Sequence, residues 1–180
     1  MTKFSNKPKA KIYIDGANIF YTQKKLGWSL DWQKVKDYLN QKWDVVDYRY
    51  YIGLKQGDDK IRNYLKYLDY LDITVISKPL KVIKISKNHH QSQLHNYKEV
   101  YKCNFDVEIS TDISFDRTKI DEIILFSGDS DFKYLVEKIK TVGKRFIIFS
   151  SRKTISWELK LVASEYYFIE DFEKELRRQK

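Results

Sequence analysis

The sequence of 180 residues has one cysteine, one methionine, two prolines and six glycines. The lone Cys103 excludes an intramolecular disulfide, and no group of cysteines and histidines has the spacing of a zinc site. No internal repeat and no linker rich in Gly, Ser or Pro divides the chain, and its length suits a single domain with a buried core. These absences exclude disulfide-stapled, zinc-folded and low-complexity proteins.

Long apolar runs are also missing. The first residues, MTKFSNKPKAKIYIDG, carry positive charge without an apolar core, so we expect no signal peptide. No run is long enough to span a bilayer. Acidic residues mixed with the basic ones at the C-terminus argue against a membrane-surface role. We therefore expect a cytoplasmic protein with no membrane partner.

The motifs of several phosphate and acyl chemistries do not occur. The sequence has neither GxxxxGK[ST] nor GxGxxG, which excludes a P-loop and a dinucleotide fingerprint, and it has no GxSxG elbow. Asp15-Gly16-Ala17 lacks the second aspartate of an aspartyl-phosphate hydrolase. His89 and His90 lie in a polar stretch and are expected to be exposed loop residues rather than zinc ligands.

Positive charge is in excess. Lys and Arg number 34 against 25 Asp and Glu, which gives a net charge of +9. This balance favours a polyanionic partner, although a lysine-rich surface that only keeps the protein in solution has the same composition.

Short apolar runs alternate with helical periodicity along most of the chain. Strands are predicted at residues 11–15, 45–54, 73–76, 122–127, 145–149 and 166–169, with helical patterns between them. Such alternation predicts βαβ units, and hence a single three-layer α/β/α domain with a central, mostly parallel sheet. Residues 81–102 break the pattern and predict a loop or a protruding hairpin. We expect residues 1–9 to form a flexible N-terminus, 10–173 the domain, and 174–180 a polar basic C-terminal tail.

Acidic residues follow two of the predicted strands directly. Asp15 ends KIYID, and Asp129 and Asp131 follow IILFSG, each immediately before a helix. Ligands of open parallel sheets bind beyond the carboxyl ends of the strands, so adjacent strands would bring three carboxylates into one crevice. These carboxylates would repel one another unless a cation lay between them, and a hard divalent ion that serves phosphoryl chemistry is the natural occupant. The alternative for Asp15 alone is a routine helix N-cap.

Three ordered segments resemble the NYN domains of the LabA-like group, which belong to the PIN-like nuclease superfamily. These segments are IYIDGANIF, FDVEISTDI and ILFSGDSDFKYLV, and the resemblance covers nearly the whole chain. It implies a PIN-like fold and a ribonuclease site that depends on Mg²⁺ or Mn²⁺. Carried over by position, its functional residues are Asp15, Asn18, Asp106, Asp129 and Asp131, with Asp112 as a possible further acid.

The resemblance and the pattern of acids imply one mechanism. Asp15, Asp106 and Asp129 would hold one or two ions, while Asp131 completes the ligand shell or orients the attacking water. Asn18 would hydrogen-bond a carboxylate or the phosphate. Hydrolysis of RNA, expected to be single-stranded, would leave 5′-phosphate and 3′-hydroxyl ends.

Basic residues are expected to surround the acids and bind the RNA backbone. They lie in or near segments that flank the predicted crevice: Lys24, Lys25, Lys133, Arg62, Arg152 and Lys153. Two other functions stay open, namely an RNA-binding regulatory protein with little or no catalysis and a phosphate-ester enzyme acting on DNA or a small nucleotide. The 14 tyrosines and four tryptophans also permit a homo-oligomer.

Overall fold

The structure is a computed structural model that describes residues 7–55, 57, 59–86 and 97–179. Its strands are β1 (Lys9–Asp15), β2 (Asp44–Leu54), β3 (Thr74–Pro79), β4 (Lys81–Ser86), β5 (Tyr97–Lys102), β6 (Glu122–Phe126), β7 (Arg145–Ser150) and β8 (Glu165–Phe168). Its α-helices are α1 (Gly16–Leu26), α2 (Trp32–Lys42), α3 (Asp59–Tyr70), α4 (Asp106–Phe115), α5 (Lys133–Thr141), α6 (Trp157–Val162) and α7 (Glu173–Leu176). Short 3-10 turns cover Ser130–Phe132 and Ile169–Phe172. The predicted helix cap at residue 58 and the three histidines lie outside the described residues.

Six strands form a sheet in the order β3-β2-β1-β6-β7-β8. Every neighbouring pair in it is parallel. All five residues of β6 are buried, as expected for a central strand covered on both faces. The prediction of an α/β domain with a mostly parallel sheet is confirmed.

Side chains that alternate along β1 enter two separate cores. Ile12 and Ile14 pack with Ile19 of α1 in a core that also holds apolar residues of α2, α3 and α7. Tyr13 points to the other face and packs with Ile109 of α4, in a core shared with α5 and α6. This alternation is the two-residue period of a strand, and it gives the predicted three layers.

The segment predicted as a loop or hairpin contains an antiparallel pair. Strands β4 and β5 pair from Lys81 opposite Lys102 to Ser86 opposite Tyr97. They form a two-stranded sheet apart from the main one. The connection between them, residues 87–96, lies outside the described residues.

The C-terminal residues pack onto the domain, although their sequence is polar. Leu176 is fully buried in the core of α1, α2 and α3, and its carbonyl accepts from the N–H of Asp31 at 2.9 Å. The N–H of Arg178 donates to the carbonyl of Ser29 at 2.9 Å. One apolar residue in a polar stretch is enough to dock it, so the described part of the predicted tail is attached. The domain boundaries themselves stay a prediction, and residues 1–6 lie outside the described part.

None of the helices in the described ranges has the length and apolar character needed to cross a membrane.

A buried lysine lies near the start of β1. Lys11 is only 4% exposed and forms ion pairs with Asp47 at 3.0 Å and Asp116 at 2.6 Å. Tyr13 also donates its hydroxyl to Asp116 at 2.9 Å. Although burial acts to raise the pKa of Asp116, hydrogen bonds led by that from Lys11 outweigh it and hold the pKa well below its usual range. The positive charge of the buried Lys11 is thus balanced by two carboxylates, those of Asp47 and Asp116.

We expect Lys11→Met to lower the free energy of unfolding by about 3 kcal/mol, because it removes the buried cation that pairs with the largely buried carboxylate of Asp116, whereas Asp47 keeps its ion pair with Arg49. Lys9→Met, the same change at an exposed position of the same strand, is the control and should cost less than about 0.5 kcal/mol. Urea denaturation measures both.

The effect of Lys11→Met should also depend on pH. Since the pKa of Asp116 is depressed in the folded state, its contribution is present above the ordinary value of 3.8 and is lost as pH falls through the folded pKa. The difference between wild type and Lys11→Met should therefore shrink in acid. Equal losses for the two lysine variants would contradict the assigned role of Lys11.

Candidate active site

The crevice of this fold lies between β1 and β6. These strands pair directly, with Ile14 opposite Phe126. The chain continues from β1 towards β2 on one side and from β6 towards β7 on the other. This reversal is a topological switch point, where the connections diverge and leave a ligand crevice beyond the strand ends. Asp15 and the segment after β6 meet there, as the sequence predicted for adjacent strands.

Asp15 is an N-cap and also a buried acid of this crevice. Its Oδ1 accepts from the N–H of Asn18 at 3.1 Å, and its Oδ2 accepts from the hydroxyl of Ser127 at 3.0 Å. The residue is 6% exposed. Burial raises the pKa of Asp15 to about 6, with smaller contributions from the charges of Asp106 and Asp129, against the lowering effect of its two hydrogen bonds. Asp15 is therefore both the N-cap of α1 and one of the acids at the crevice, the two alternatives that the sequence offered.

Three further carboxylates converge beside it. Asp106, Asp129 and Asp131 each offer an oxygen, and these oxygens lie within 4.8 Å of one another. Burial raises the pKa of Asp106, and the charges of Asp129, Asp131 and Glu108 raise it further, against a lowering hydrogen bond from Asn104. We call Asp15, Asp106, Asp129 and Asp131 the acid cluster.

Local turns place the acid cluster. Asp129 caps the 3-10 turn that follows it, its Oδ1 accepting from the N–H of Asp131 at 3.1 Å. Asp106 begins α4, and its own N–H donates to Oδ1 of Asn104 at 2.8 Å. The side chain of Asn104 therefore shapes the turn that places Asp106 at the start of α4.

Asn18 ties α1 to the loop after β6. Its Oδ1 accepts from the N–H of Gly128 at 3.1 Å. A side chain at Gly128 would put its Cβ 2.3 Å from the carbonyl oxygen of Thr154, so only glycine fits this close approach. The Thr154 hydroxyl is in turn 2.9 Å from that of Thr22. The oxygen of Asn18 thus positions the backbone beside the acid cluster.

Three of these positioning residues, Ser127, Gly128 and Thr154, were not predicted from the sequence. Ser127 and Gly128 stand within SGDSDF, so the motif itself carries their signal. Thr154 lies in a loop after β7 and has no comparable signal, since its contacts with Thr22 and Gly128 form only in the folded chain.

Asp112 has other partners. Its carboxylate accepts from the guanidinium of Arg49 at 3.2 Å and from the hydroxyl of Tyr51 at 2.7 Å. The ion pair fixes α4 against β2, which is a structural role. The three acids whose oxygens converge do not include Asp112.

The predicted RNA-binding residues fall into two groups. Lys25 and Lys153 join α1 to the loop after β7, each ammonium donating to the other residue's carbonyl, at 3.2 and 3.0 Å. Lys24, on the same helix, lies over the ring of Phe20. We call these three residues the basic rim; Lys153 immediately precedes Thr154, whose carbonyl lies close to Gly128 beside the acid cluster.

The other three predicted residues have different surroundings. Arg152 is paired with Asp171 at 2.8 Å, and Lys133 lies 3.9 Å from Glu137. Arg62 lines a groove of about 680 Å³ between α3 and β4, and none of the acid cluster is among the described residues that line it.

The acid cluster is a set of oxygen donors without a cation. In the described part of the chain, no Lys or Arg forms an ion pair with any of its four carboxylates. Oxygen ligands with several carboxylates suit hard divalent ions such as Mg²⁺ and Mn²⁺. The residues present therefore fit such an ion.

Comparison with known proteins gives a consistent result. Residues 9–170 match the NYN domain. The chain is 32% identical over 162 residues to the low amplitude and bright protein LabA of Synechococcus elongatus, across 89% of this chain and 83% of LabA. A crystal structure of a protein of unknown function from Vibrio parahaemolyticus has the same fold, with a TM-score of 0.75 over 97% of this chain and 99% of that one, at 23% identity.

The matched residues run from the first residue of β1 into the turn after β8, so they take in the whole main sheet and all four acids. The chain therefore belongs to the NYN domain family, a family of PIN-like nucleases whose members generally act on RNA and depend on divalent metal ions.

Proposed function

We propose that the protein is a ribonuclease that hydrolyses RNA phosphodiester bonds with Mg²⁺ or Mn²⁺. The observation that carries the proposal is the convergence of Asp106, Asp129 and Asp131 within 4.8 Å at the switch point of the sheet, beside the buried Asp15. Three converging carboxylates, two of which raise the pKa of the buried Asp15, are unfavourable without a cation, and a divalent ion would remove that cost.

The ion would be held by oxygens of the acid cluster. When bound, it activates a water molecule and offsets negative charge on the attacked phosphate. The carboxylate of Asp129 is held by its hydrogen bond from the N–H of Asp131, and the backbone of Asp106 is held by its hydrogen bond to Asn104, so both residues are positioned before an ion arrives. Asp15 is oriented by the Ser127 hydroxyl and the Asn18 N–H. Asp131 is exposed and can complete the ligand shell or orient the water.

RNA is the substrate that the surroundings favour. A purely acidic crevice would repel a polyanion, and the basic rim of Lys24, Lys25 and Lys153 offsets this repulsion. Contacts of lysine ammonium groups with phosphates supply affinity that does not depend on sequence. Asn18 adds a neutral polar group next to the acids, where a further charge would be costly.

Substitution in the acid cluster should abolish cleavage. We expect Asp15→Asn, Asp106→Asn and Asp129→Asn each to lower the Mn²⁺-dependent cleavage rate of a labelled single-stranded RNA by about 100-fold or more, because each removes a ligand charge. Asp112→Asn is the matched control for Asp106→Asn, since it makes the same change on the same helix. It should retain most of the rate.

The outcomes of this assay are distinct. Cleavage that survives in both Asp15→Asn and Asp129→Asn would contradict the proposal. Wild-type cleavage no faster than that of the variants, with RNA still bound, would favour an RNA-binding regulatory role instead. Competition by DNA or mononucleotides as effective as by RNA would favour another phosphate-ester substrate.

Asp15 should lower the stability of the protein without metal. A pKa difference between the ordinary 3.8 and about 6 corresponds to about 3 kcal/mol at most. Because the folded pKa is raised, this cost is fully present above pH 6 and vanishes below the ordinary value. We expect metal-free Asp15→Asn to melt at a higher temperature than wild type at neutral pH, with the gain disappearing near pH 4.

Metal should reverse that order. Mn²⁺ should raise the melting temperature of wild type and have a much smaller effect on Asp15→Asn, since an ion that binds only the folded state stabilises it. Differential scanning calorimetry with and without Mn²⁺ measures both effects. Equal shifts in the two proteins would contradict a role for Asp15 in holding the ion.

A further inference from the structure

Two aromatic side chains on α1 are exposed to solvent. The helix buries Gly16, Ile19 and Thr22, so its opposite face presents Phe20 and Tyr21. Their exposed fractions are 51% and 59%, which is high for large rings. When a ligand with an apolar face covers aromatic rings that are this exposed, the burial contributes favourable binding free energy.

The two rings form a defined surface with a lysine. Phe20 and Tyr21 meet edge to face, with ring centroids 5.6 Å apart and planes at 74°. The ammonium of Lys24 lies 4.4 Å from the centroid of Phe20. We call these three residues the α1 platform. It combines aromatic faces with a positive charge, which are the two elements that bind single-stranded nucleic acid.

The α1 platform lies close to the acid cluster. Asp15 caps the same helix, and Phe20 and Tyr21 follow five and six residues later. At a rise of about 1.5 Å per residue they lie about 8 Å further along the helix axis. This axial separation corresponds to about two nucleotides at the spacing of about 3.4 Å per nucleotide along one strand of a duplex. A strand with its phosphate at the acids can therefore reach the rings with a neighbouring base.

Positive charge continues beside the rings. Lys25 and Lys153 are joined by their reciprocal hydrogen bonds next to Lys24. Within the described ranges, no carboxylate forms an ion pair with any of these three lysines. Their charge is thus available to phosphates of a strand whose bases lie on the platform.

We propose that the α1 platform stacks unpaired bases of the RNA next to the cleaved phosphodiester and so selects single strands. The inference rests on the proposed ribonuclease function for its substrate class. A duplex hides the faces of its bases in its own stack, whereas a single strand offers them. Stacking accepts any base, so the platform would give strand selectivity with little sequence preference.

The chain offers a matched control at the other end of the sheet. Tyr70 is 83% exposed and is the last residue of α3, just before β3 begins. The acid cluster lies beyond the opposite ends of the parallel strands. A change at Tyr70 therefore alters an even more exposed ring that RNA in the crevice does not reach.

The test measures binding of the full-length protein in EDTA, where metal-dependent cleavage does not interfere. The probes are a short uridine strand and a strand of equal length that lacks bases, both followed by fluorescence anisotropy. We expect the double variant Phe20→Leu with Tyr21→Leu to bind the uridine strand about ten-fold more weakly and the base-free strand equally well. Tyr70→Leu should change neither affinity.

The salt dependence of RNA binding distinguishes stacking on the aromatic rings from contacts between lysines and phosphates. The double leucine variant should keep the wild-type slope of log affinity against log salt, because stacking releases no counterions. Lys24→Ala should weaken binding of both strands and reduce the slope by about 0.7. Melting temperatures near that of wild type establish that the exposed substitutions leave the fold intact.

The proposal would be overturned if the double leucine variant bound the uridine strand as tightly as wild type, or if its affinity for both strands fell equally. It would also be overturned if the variant sedimented differently from wild type while its RNA binding was unchanged. The last result would assign the face to a second copy of the chain. A separate cleavage assay on wild type distinguishes the two proposals. If the double leucine variant loses affinity only for the uridine strand and wild type does not cleave RNA, the platform proposal stands and the nuclease proposal fails. If wild type cleaves RNA and the double leucine variant binds both strands as wild type does, the nuclease proposal stands and the platform proposal fails.

Discussion

The parallel pairing of β1 with β6 is the constraint on which the site depends. It joins two strands that are 112 residues apart at Asp15 and Ser127, and it makes both end at the same edge of the sheet. Because the chain leaves β1 and β6 in opposite directions, the helix starts that follow them open onto a common crevice. Every acid of the cluster lies at the start of a helix or turn at that edge. Asp15 caps α1, Asp129 and Asp131 lie at the 3-10 turn after β6, and Asp106 begins α4.

The two ends of β1 show opposite electrostatic arrangements. At its start, the buried Lys11 has two carboxylate partners, and the pKa of Asp116 is lowered accordingly. At its end, the partners that the structure describes for the buried Asp15 are neutral hydrogen-bond donors and other acids, and its pKa is raised. A buried charge is normally paired, so this end of the strand is where the proposed cation would bind. This contrast within one strand distinguishes a structural ion pair from a binding site.

Much of this arrangement could be predicted from local sequence. Buried parallel strands are continuous apolar runs, and acids placed directly after such runs must lie at the strand ends, which located Asp15, Asp129 and Asp131. Asp106 has no such signal, because it follows a hairpin and not a strand of the main sheet, and only the family resemblance indicated it. Asn104 shapes that turn by accepting from the N–H of Asp106, a contact for which the sequence pattern gave no signal.

What the sequence could not predict are pairings that form only in the folded chain. Asp112 lies in the segment FDVEISTDI and was a possible further acid, but its partner Arg49 is 63 residues away on another strand. Arg152 was expected to contact RNA, whereas Asp171, 19 residues further on, holds its guanidinium. Leu176 was assigned to a polar tail because its neighbours in the sequence are polar, yet its side chain is fully buried in the core. In each case the structure adds a long-range contact that the local sequence did not indicate, while the predicted functions of Asp112 and Arg152 stay predictions.

The central claim is that the acid cluster holds a divalent ion, and a crystal structure of the protein soaked with Mn²⁺ tests it most directly. Anomalous scattering should place an Mn²⁺ ion among the carboxylates of Asp106, Asp129 and Asp131, with the carboxylate of Asp15 facing the same ion or a second one. An empty cluster at saturating Mn²⁺, or an ion bound only at other residues, would contradict the claim.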